Sequence, residues 1–346
     1  MKNEPEAEAR HIELSFDDNR LLSLLYGEHN ANLAHIEQQM GVIIETHGNV
    51  ISVGGPPGAV ETVRTTLHQL WKRLQKGLYV GEGDIDAALR MSAIDAPMRD
   101  MAINALSNET KFVKTRNKTI TARSPMQALY LESMQKHELV FATGPAGTGK
   151  TYLAVAHGVS LFLAGKYEKL IFSRPAVEAG ERLGFLPGDL RDKIDPYLRP
   201  IYDALYEMMP SEQVVKRLSM GQIEIAPLAF MRGRTLSNAF IVLDEAQNTT
   251  SVQMKMALTR LGEGSRMVVT GDITQVDLPK GVHSGLREAV DLLEGTEGID
   301  VIRFTENEVV RHNLVSRIVK AYNSLDRSRG TEELYKTHLP GEPPAH

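Results

Sequence analysis

No cysteine occurs in this chain of 346 residues. That excludes disulfide staples, thiolate metal sites and cysteine nucleophiles together. Basic charge is in no excess: 39 Lys and Arg stand against 44 Asp and Glu, a formal net charge of −5. A chain-wide electrostatic footprint for nucleic acid is therefore missing, and any basic surface must be local. Long apolar runs are missing too. The longest, residues 153–164, contains His157 and is too short to span a bilayer. Residues 1–10 are acidic and polar, without the apolar segment of a signal peptide. The expectation is a cytoplasmic protein with no membrane partner. His11, His29, His35, His47, His157 and His283 follow no metal-ligand spacing, and His312 has no matching ligands. No Ser-His-Asp arrangement can be argued, and no internal repeat is visible. What remains is an ordinary globular composition, 42% hydrophobic and 24% charged, over a length that favours two domains.

The most informative stretch is Gly144-Pro145-Ala146-Gly147-Thr148-Gly149-Lys150-Thr151. It fits G-x-x-x-x-G-K-[ST], the loop that cradles nucleotide phosphates. An apolar run precedes it and a helical pattern follows it. Strand, glycine-rich turn and helix N-terminus in that order aim backbone N–H groups and a helix dipole at phosphate. The pattern assigns a nucleotide as ligand, with Lys150 reaching the β- and γ-phosphates and the Thr151 hydroxyl on Mg²⁺. Residues 124–326 alternate strand and helix, with strands expected at 139–143, 169–173, 223–227, 239–243, 266–270 and 300–304. This predicts an α/β P-loop NTPase core with a mostly parallel sheet.

Residues 239–243 are apolar and end in Asp244-Glu245. Downstream of a P-loop, this pattern delivers Asp244 to the Mg²⁺ shell and sets Glu245 to polarise an attacking water as general base. The strand at 266–270 leads into Gly271-Asp272, and Gln275 after it can reach a γ-phosphate and report its presence. Asp272 is assigned to the water network around the metal. Gln127 lies upstream of the P-loop; a carboxamide offers the acceptor and donors that match adenine, and it is equally read as a helix-surface residue. Arg311 lies at a helix start after the last strand, which suits stabilisation of transition-state charge in cis or from a neighbour. Its plainer reading is a structural ion pair, and Arg232 and Arg234 are further basic candidates. Ser173-Arg174-Pro175 follows a strand. Pro187-Gly188 and Pro196/Pro200 then bracket a loop-rich insertion, read either as a polymer contact or as a structural loop.

Residues 10–77 have a separate rhythm, β-α-α-β-β-α. That order resembles the KH RNA-binding fold, whose G-x-x-G loop clamps a nucleic-acid backbone. Here the loop reads Gly27-Glu28-His29-Asn30, so the second glycine is replaced and an acid sits inside. The alternative is a small α+β module for protein contacts. Residues 78–123 read as linker, short helices and a basic hairpin over 111–123. There Lys114, Arg116 and Lys118 are expected to share one face, either against phosphate or as a solvated edge. Residues 327–346, with Gly330, Gly341, Pro343 and Pro344, are expected to be a disordered tail.

The P-loop, Phe240–Asn248, Thr270–Gln275, Ser173-Arg174-Pro175 and Val310-Arg311-His312 together resemble the PhoH-like ATPases. The KH-like region matches the bacterial branch that lacks a nuclease domain. The resemblance covers roughly residues 10–325, and its core is similar to that of superfamily-one helicases. It implies Gln127 as the adenine reader, Glu245 as the base and Gln275 as the γ-phosphate sensor. It also implies a homo-oligomeric ring, RNA and the endoribonuclease YbeY as partners, and a role in ribosome maturation. A full helicase has two such cores and this chain has one, so translocation would need ring interfaces to supply the missing arginine. A nucleotide-switched RNA-binding adaptor that recruits a ribonuclease is the rival to an RNA-remodelling ATPase.

Overall fold

The computed structural model describes residues 10–92, 112–175, 190–279 and 281–309. Apolar–polar alternation produces β1 (Arg10–Ser15), which turns Leu14 inward. Asp18 caps α1 (Asn19–Tyr26), its carboxylate accepting the backbone N–H groups of Arg20 and Leu21 at 2.8 and 3.3 Å. Those are donors that a helix start leaves open. Next, α2 (Ala31–Met40) buries Leu33 and Ile36 and ends at Gly41 in the left-handed region. β2 (Ile43–His47) and β3 (Val50–Gly55) pair across the two-residue turn Gly48-Asn49. α3 (Pro57–Gln75) follows. The antiparallel sheet has the order β1-β3-β2, and its core gathers Ile36, Ile51, Val53, Val63, Leu67 and Trp71.

The β-α-α-β-β-α order is thus the one found, but the expected boundary at 77 leaves out a helix. α4 (Glu82–Ser92) is one of the short helices expected in the stretch after 77, but its Ile85, Ala88 and Leu89 join the first core. Their i, i+3, i+4 spacing puts them on one face. His35 of α2 also meets Asp86 of α4 at 2.7 Å. In the loop at 27–30, His29 and Asn30 have φ of 52° and 62°. Asparagine tolerates that left-handed backbone, so the turn survives the loss of the second glycine.

The second part of the chain opens with the hairpin β4 (Phe112–Lys114) and β5 (Thr119–Thr121). It continues with α5 (Pro125–Lys136), β6 (Leu139–Thr143), α6 (Lys150–Leu163), β7 (Lys169–Arg174), α7 (Leu190–Met208) and α8 (Ser211–Ser219). Then come β8 (Ile223–Pro227), β9 (Ala239–Leu243), α9 (Ser251–Leu258), β10 (Arg266–Gly271), α10 (Gly285–Leu293) and β11 (Ile299–Arg303). Strands β6 to β11 form one six-stranded sheet of order β11-β6-β10-β9-β7-β8. Each pairing in it is parallel. Parallel strands are covered on both faces and so read as continuous apolar runs. Alternate residues serve opposite cores: Val140 and Ala142 join the α6 side, Leu139 and Phe141 the α9–α10 side. The six expected strands agree within one residue at either end.

One expectation fails. Pro196 and Pro200 lie inside α7, not around a loop. Proline in a helix interior costs about 3 kcal/mol, but Leu198, Ile201, Leu205 and Met208 recur at helical spacing and are buried against the core, and that burial outweighs the penalty. Residues 176–189, Arg311, His312 and the tail lie outside the described residues.

His157, on α6, is buried with its ring edge-on to Phe240 at 5.9 Å, and its Nε2 has no hydrogen-bond partner. Burial, reinforced by the charge of Arg266, lowers its pKa from 6.5 to about 4. The unfolded chain then binds the proton first. His157 therefore costs no stability above pH 6.5 and withdraws stability as pH falls through 4, about 3 kcal/mol in all. His157→Asn is expected to flatten this part of the stability–pH curve in denaturant melts between pH 7 and 4. An unchanged slope would contradict the assignment.

Candidate active site

The carboxyl ends of β6, β7, β9 and β10 lie side by side, because Thr143 pairs with Gly271, and Leu243 with both Val269 and Ser173. In open parallel sheets ligands bind at such ends. The P-loop leaves β6 there. Gly144 is held between two neighbouring strand ends: its N–H donates to the Gly271 carbonyl at 3.2 Å, while Phe304 N–H donates to the Thr143 carbonyl at 2.7 Å. Gly144, Gly147 and Gly149 have φ of 135°, 84° and 84°, so the loop bends in a region that side chains disfavour. Thr148 Oγ1 donates to the Pro145 carbonyl at 3.0 Å. The Lys150 ammonium reaches the carbonyls of Gly144 and Pro145, both at 2.7 Å, spanning the loop from below. The Tyr130 hydroxyl sits 3.3 Å from the Lys150 carbonyl and ties α5 to the first turn of α6. Burial, with the charge of Asp244 as a second cause, raises that phenol well above its ordinary range.

Asp244 is the centre of the arrangement. It is 3% exposed. Its Oδ1 accepts the Thr151 hydroxyl from α6 and the Thr270 hydroxyl from β10, each at 2.6 Å. Its Oδ2 faces the Arg174 Nε at 3.6 Å. Glu245 follows in the left-handed region at φ 52°. Its Oε1 accepts from Arg174 Nη2 at 2.7 Å, and its Oε2 from Gln247 Nε2 at 2.5 Å. Gln247 Oε1 in turn accepts the backbone N–H of Asp272 at 3.0 Å. Asp272 accepts from Thr274 Oγ1 at 2.7 Å and from Gln275 Nε2 at 2.9 Å. One chain of hydrogen bonds thus runs from Arg174 through Glu245, Gln247 and Asp272 to Gln275.

Gln127 is buried rather than on a helix surface. Its Oε1 accepts the Arg123 N–H at 2.7 Å and its Nε2 donates to the Thr148 carbonyl at 2.9 Å. The carboxamide therefore fastens the N-terminus of α5 to the P-loop. The basic stretch is shorter than expected, with Arg116 and Lys118 in the turn between β4 and β5. Thr115 closes that turn, its N–H and hydroxyl both donating to the Lys118 carbonyl. Lys118 pairs with Glu207, which raises the lysine pKa through their hydrogen bond. Val113 and Ile120 enter the core while Arg116 and Lys118 lie exposed in the turn; the Lys114 side chain expected to share their face lies outside the described ones. Arg234 pairs with Glu224 at 2.5 Å, away from the strand ends.

Two residues had no role on sequence grounds. Thr270 is the residue before Gly271-Asp272, and Gln247 stands two positions after Glu245; only their spacing from the acids marks them. Among the described residues no three His, Asp or Glu side chains gather to hold a metal by themselves. Magnesium takes one or two protein oxygens and completes its shell with water and phosphate. The hydroxyl–carboxylate pair of Thr151 and Asp244 is a hard-oxygen donor set of that kind, so these residues fit Mg²⁺.

A Cβ at Gly144 would meet the carbonyl oxygen and Cβ of Phe304, the latter at 2.8 Å. The backbone of a paired strand cannot step aside. Gly144→Ala is expected to destabilise the fold by roughly 1–3 kcal/mol, read as a fall in melting temperature. Gly165→Ala has left-handed backbone too, but nothing within 4 Å, and is the milder control. Equal losses in the two would argue against close packing of the loop.

The PhoH-like protein family matches residues 119–323. A PhoH-like protein of Bacillus subtilis is 45% identical over 300 residues, covering 86% of this chain and 93% of that protein. A PhoH-like protein of Synechocystis is 44% identical, covering 89% and 92%. Among solved structures, a Pif1 helicase from Candida albicans overlaps 64% of this chain and 49% of its own at 16% identity and a TM-score of 0.32. The P-loop core and the extent of these two relatives agree on one assignment: the chain belongs to the PhoH-like protein family.

Proposed function

We propose that the strand-end constellation hydrolyses ATP and that hydrolysis is coupled to RNA or ribonucleoprotein remodelling. The observation that carries the first part is the 2.6 Å bond from the P-loop hydroxyl of Thr151 to Asp244, since it joins the phosphate loop to the acidic strand end. Lys150 binds the β- and γ-phosphates, and the P-loop N–H groups orient them. Thr151 and Asp244 hold Mg²⁺, which supplies charge neutralisation at the phosphates when bound. Glu245 takes the proton of the attacking water. Gln275, fixed through Asp272, reads the γ-phosphate, and the Gln247 bridge carries that state to Glu245. Gln127 orders the loop and leaves one N–H for adenine. Arg311 is proposed to meet the developing charge.

Support for RNA is of a different kind: the KH-like element order, Arg116 exposed at the hairpin turn, and the family resemblance. That resemblance further supports a cytoplasmic homo-oligomeric ring and YbeY as partner in rRNA maturation. Among the described residues no helix is long and apolar enough to cross a membrane. The adaptor reading keeps one observation of its own. Both oxygens of Glu245 are engaged by protein donors, which suits slow turnover.

Lys150→Ala is expected to weaken ATP binding about ten- to a hundredfold, from the loss of charge-assisted bonds. Glu245→Gln keeps binding and lowers turnover by roughly 10²–10⁴. Phosphate release and fluorescent-nucleotide titration check both. Hydrolysis by Glu245→Gln at the wild-type rate would remove the base assignment. Stimulation of the wild type by single-stranded RNA supports remodelling, and its absence favours the adaptor.

A further inference from the structure

Arg174 is placed where none of the roles above uses it. It ends β7 beside the two acids of β9, with its side chain 17% exposed. Three groups hold it: Nη1 donates to the Tyr197 carbonyl of α7, Nη2 to Glu245 Oε1 at 2.7 Å, and Nε faces Asp244 at 3.6 Å. Gln247 occupies the other oxygen of Glu245 at 2.5 Å. A carboxylate tied by a guanidinium on one side and an amide on the other is pinned. To accept a proton from water it must leave one donor. The Glu245 backbone is itself in the left-handed region, a conformation that persists only where surroundings enforce it. The Arg174 fork is the charged part of that enforcement.

We propose that Arg174 is a latch on the catalytic glutamate, released by a phosphodiester strand that competes for its guanidinium. The inference rests on the reading of Glu245 as general base. Planar guanidinium bonds phosphate and carboxylate with the same bidentate geometry, so a backbone phosphate that reaches the partly exposed Arg174 side chain is a direct rival to Glu245. Release breaks the one bond from Arg174 Nη2 to Glu245 Oε1, a change that lies in the side chains. Glu245 is then held by Gln247 alone, whose other end is bonded to the Asp272 N–H. The base thereby passes from control by the strand to control by the γ-phosphate sensor. Arg174 acts here as a positioning residue, and turnover becomes conditional on an occupied strand site.

The test uses the full-length chain, with single-stranded RNA and DNA oligomers of one sequence as separate arms. The two arms share the phosphodiester, and their difference tells which strand is the natural one. Arg174→Gln is expected to raise strand-free kcat several-fold, leave KM for ATP within about twofold, and abolish stimulation in both arms. Arg174→Lys retains a point charge without the fork and is expected to give an intermediate strand-free rate. It also carries the test if Arg174→Gln does not fold. A strand-free rate at or below wild type in these variants, or undiminished stimulation, overturns the latch. Arg174→Gln combined with Glu245→Gln separates the two ideas. An inactive double variant beside an accelerated single one supports both. Wild-type hydrolysis by Glu245→Gln alone removes the base, whereas an inactive Glu245→Gln beside a slow Arg174→Gln removes only the latch.

Discussion

The structure turns on a buried carboxylate that cannot stand alone. Asp244 is 3% exposed, and burying a charge without partners is costly. Two threonine hydroxyls from two different elements meet one of its oxygens, and Arg174 faces the other. That requirement fixes the register of three strand ends and the first turn of α6. β9 must end where α6 begins, and β10 must place Thr270 beside it. The parallel sheet supplies that alignment, with every residue of β6 and β9 buried. The site is thus a consequence of satisfying one acid at the edge of a dry sheet.

From that centre the remaining polar groups fall into an order. Asp272 and Glu245 share no direct bond, yet Gln247 touches both. The groups proposed to read the nucleotide and the proposed base are thereby one network. Arg174 lies at the far end of it, partly exposed. In the proposed mechanism the base is held at both oxygens, and activity would depend on what takes a donor away.

Much of this was legible in the sequence because it is local. The glycines at 144, 147 and 149 announce a turn that only they adopt, and each apolar run names its strand within a residue. The acids follow from the ends of those runs. What was not legible depends on tertiary partners. Lys118 reads as a free cation until Glu207 meets it. Gln127 reads as an adenine contact or a surface residue, and its bond to the P-loop shows only in the fold. Pro196 and Pro200 read as loop punctuation until the buried face of α7 overrides them. A short helix was expected near Glu82–Ser92, but not that Ile85, Ala88 and Leu89 would join the first core.

The most direct test of the central claim is a crystal structure of the protein with Mg²⁺ and a non-hydrolysable ATP analogue. The account predicts triphosphate on the P-loop amides, the Lys150 ammonium turned from the Gly144 and Pro145 carbonyls to the phosphates, and the metal against the Thr151 hydroxyl beside Asp244. Nucleotide bound away from residues 144–151, or a metal remote from Asp244, would contradict it.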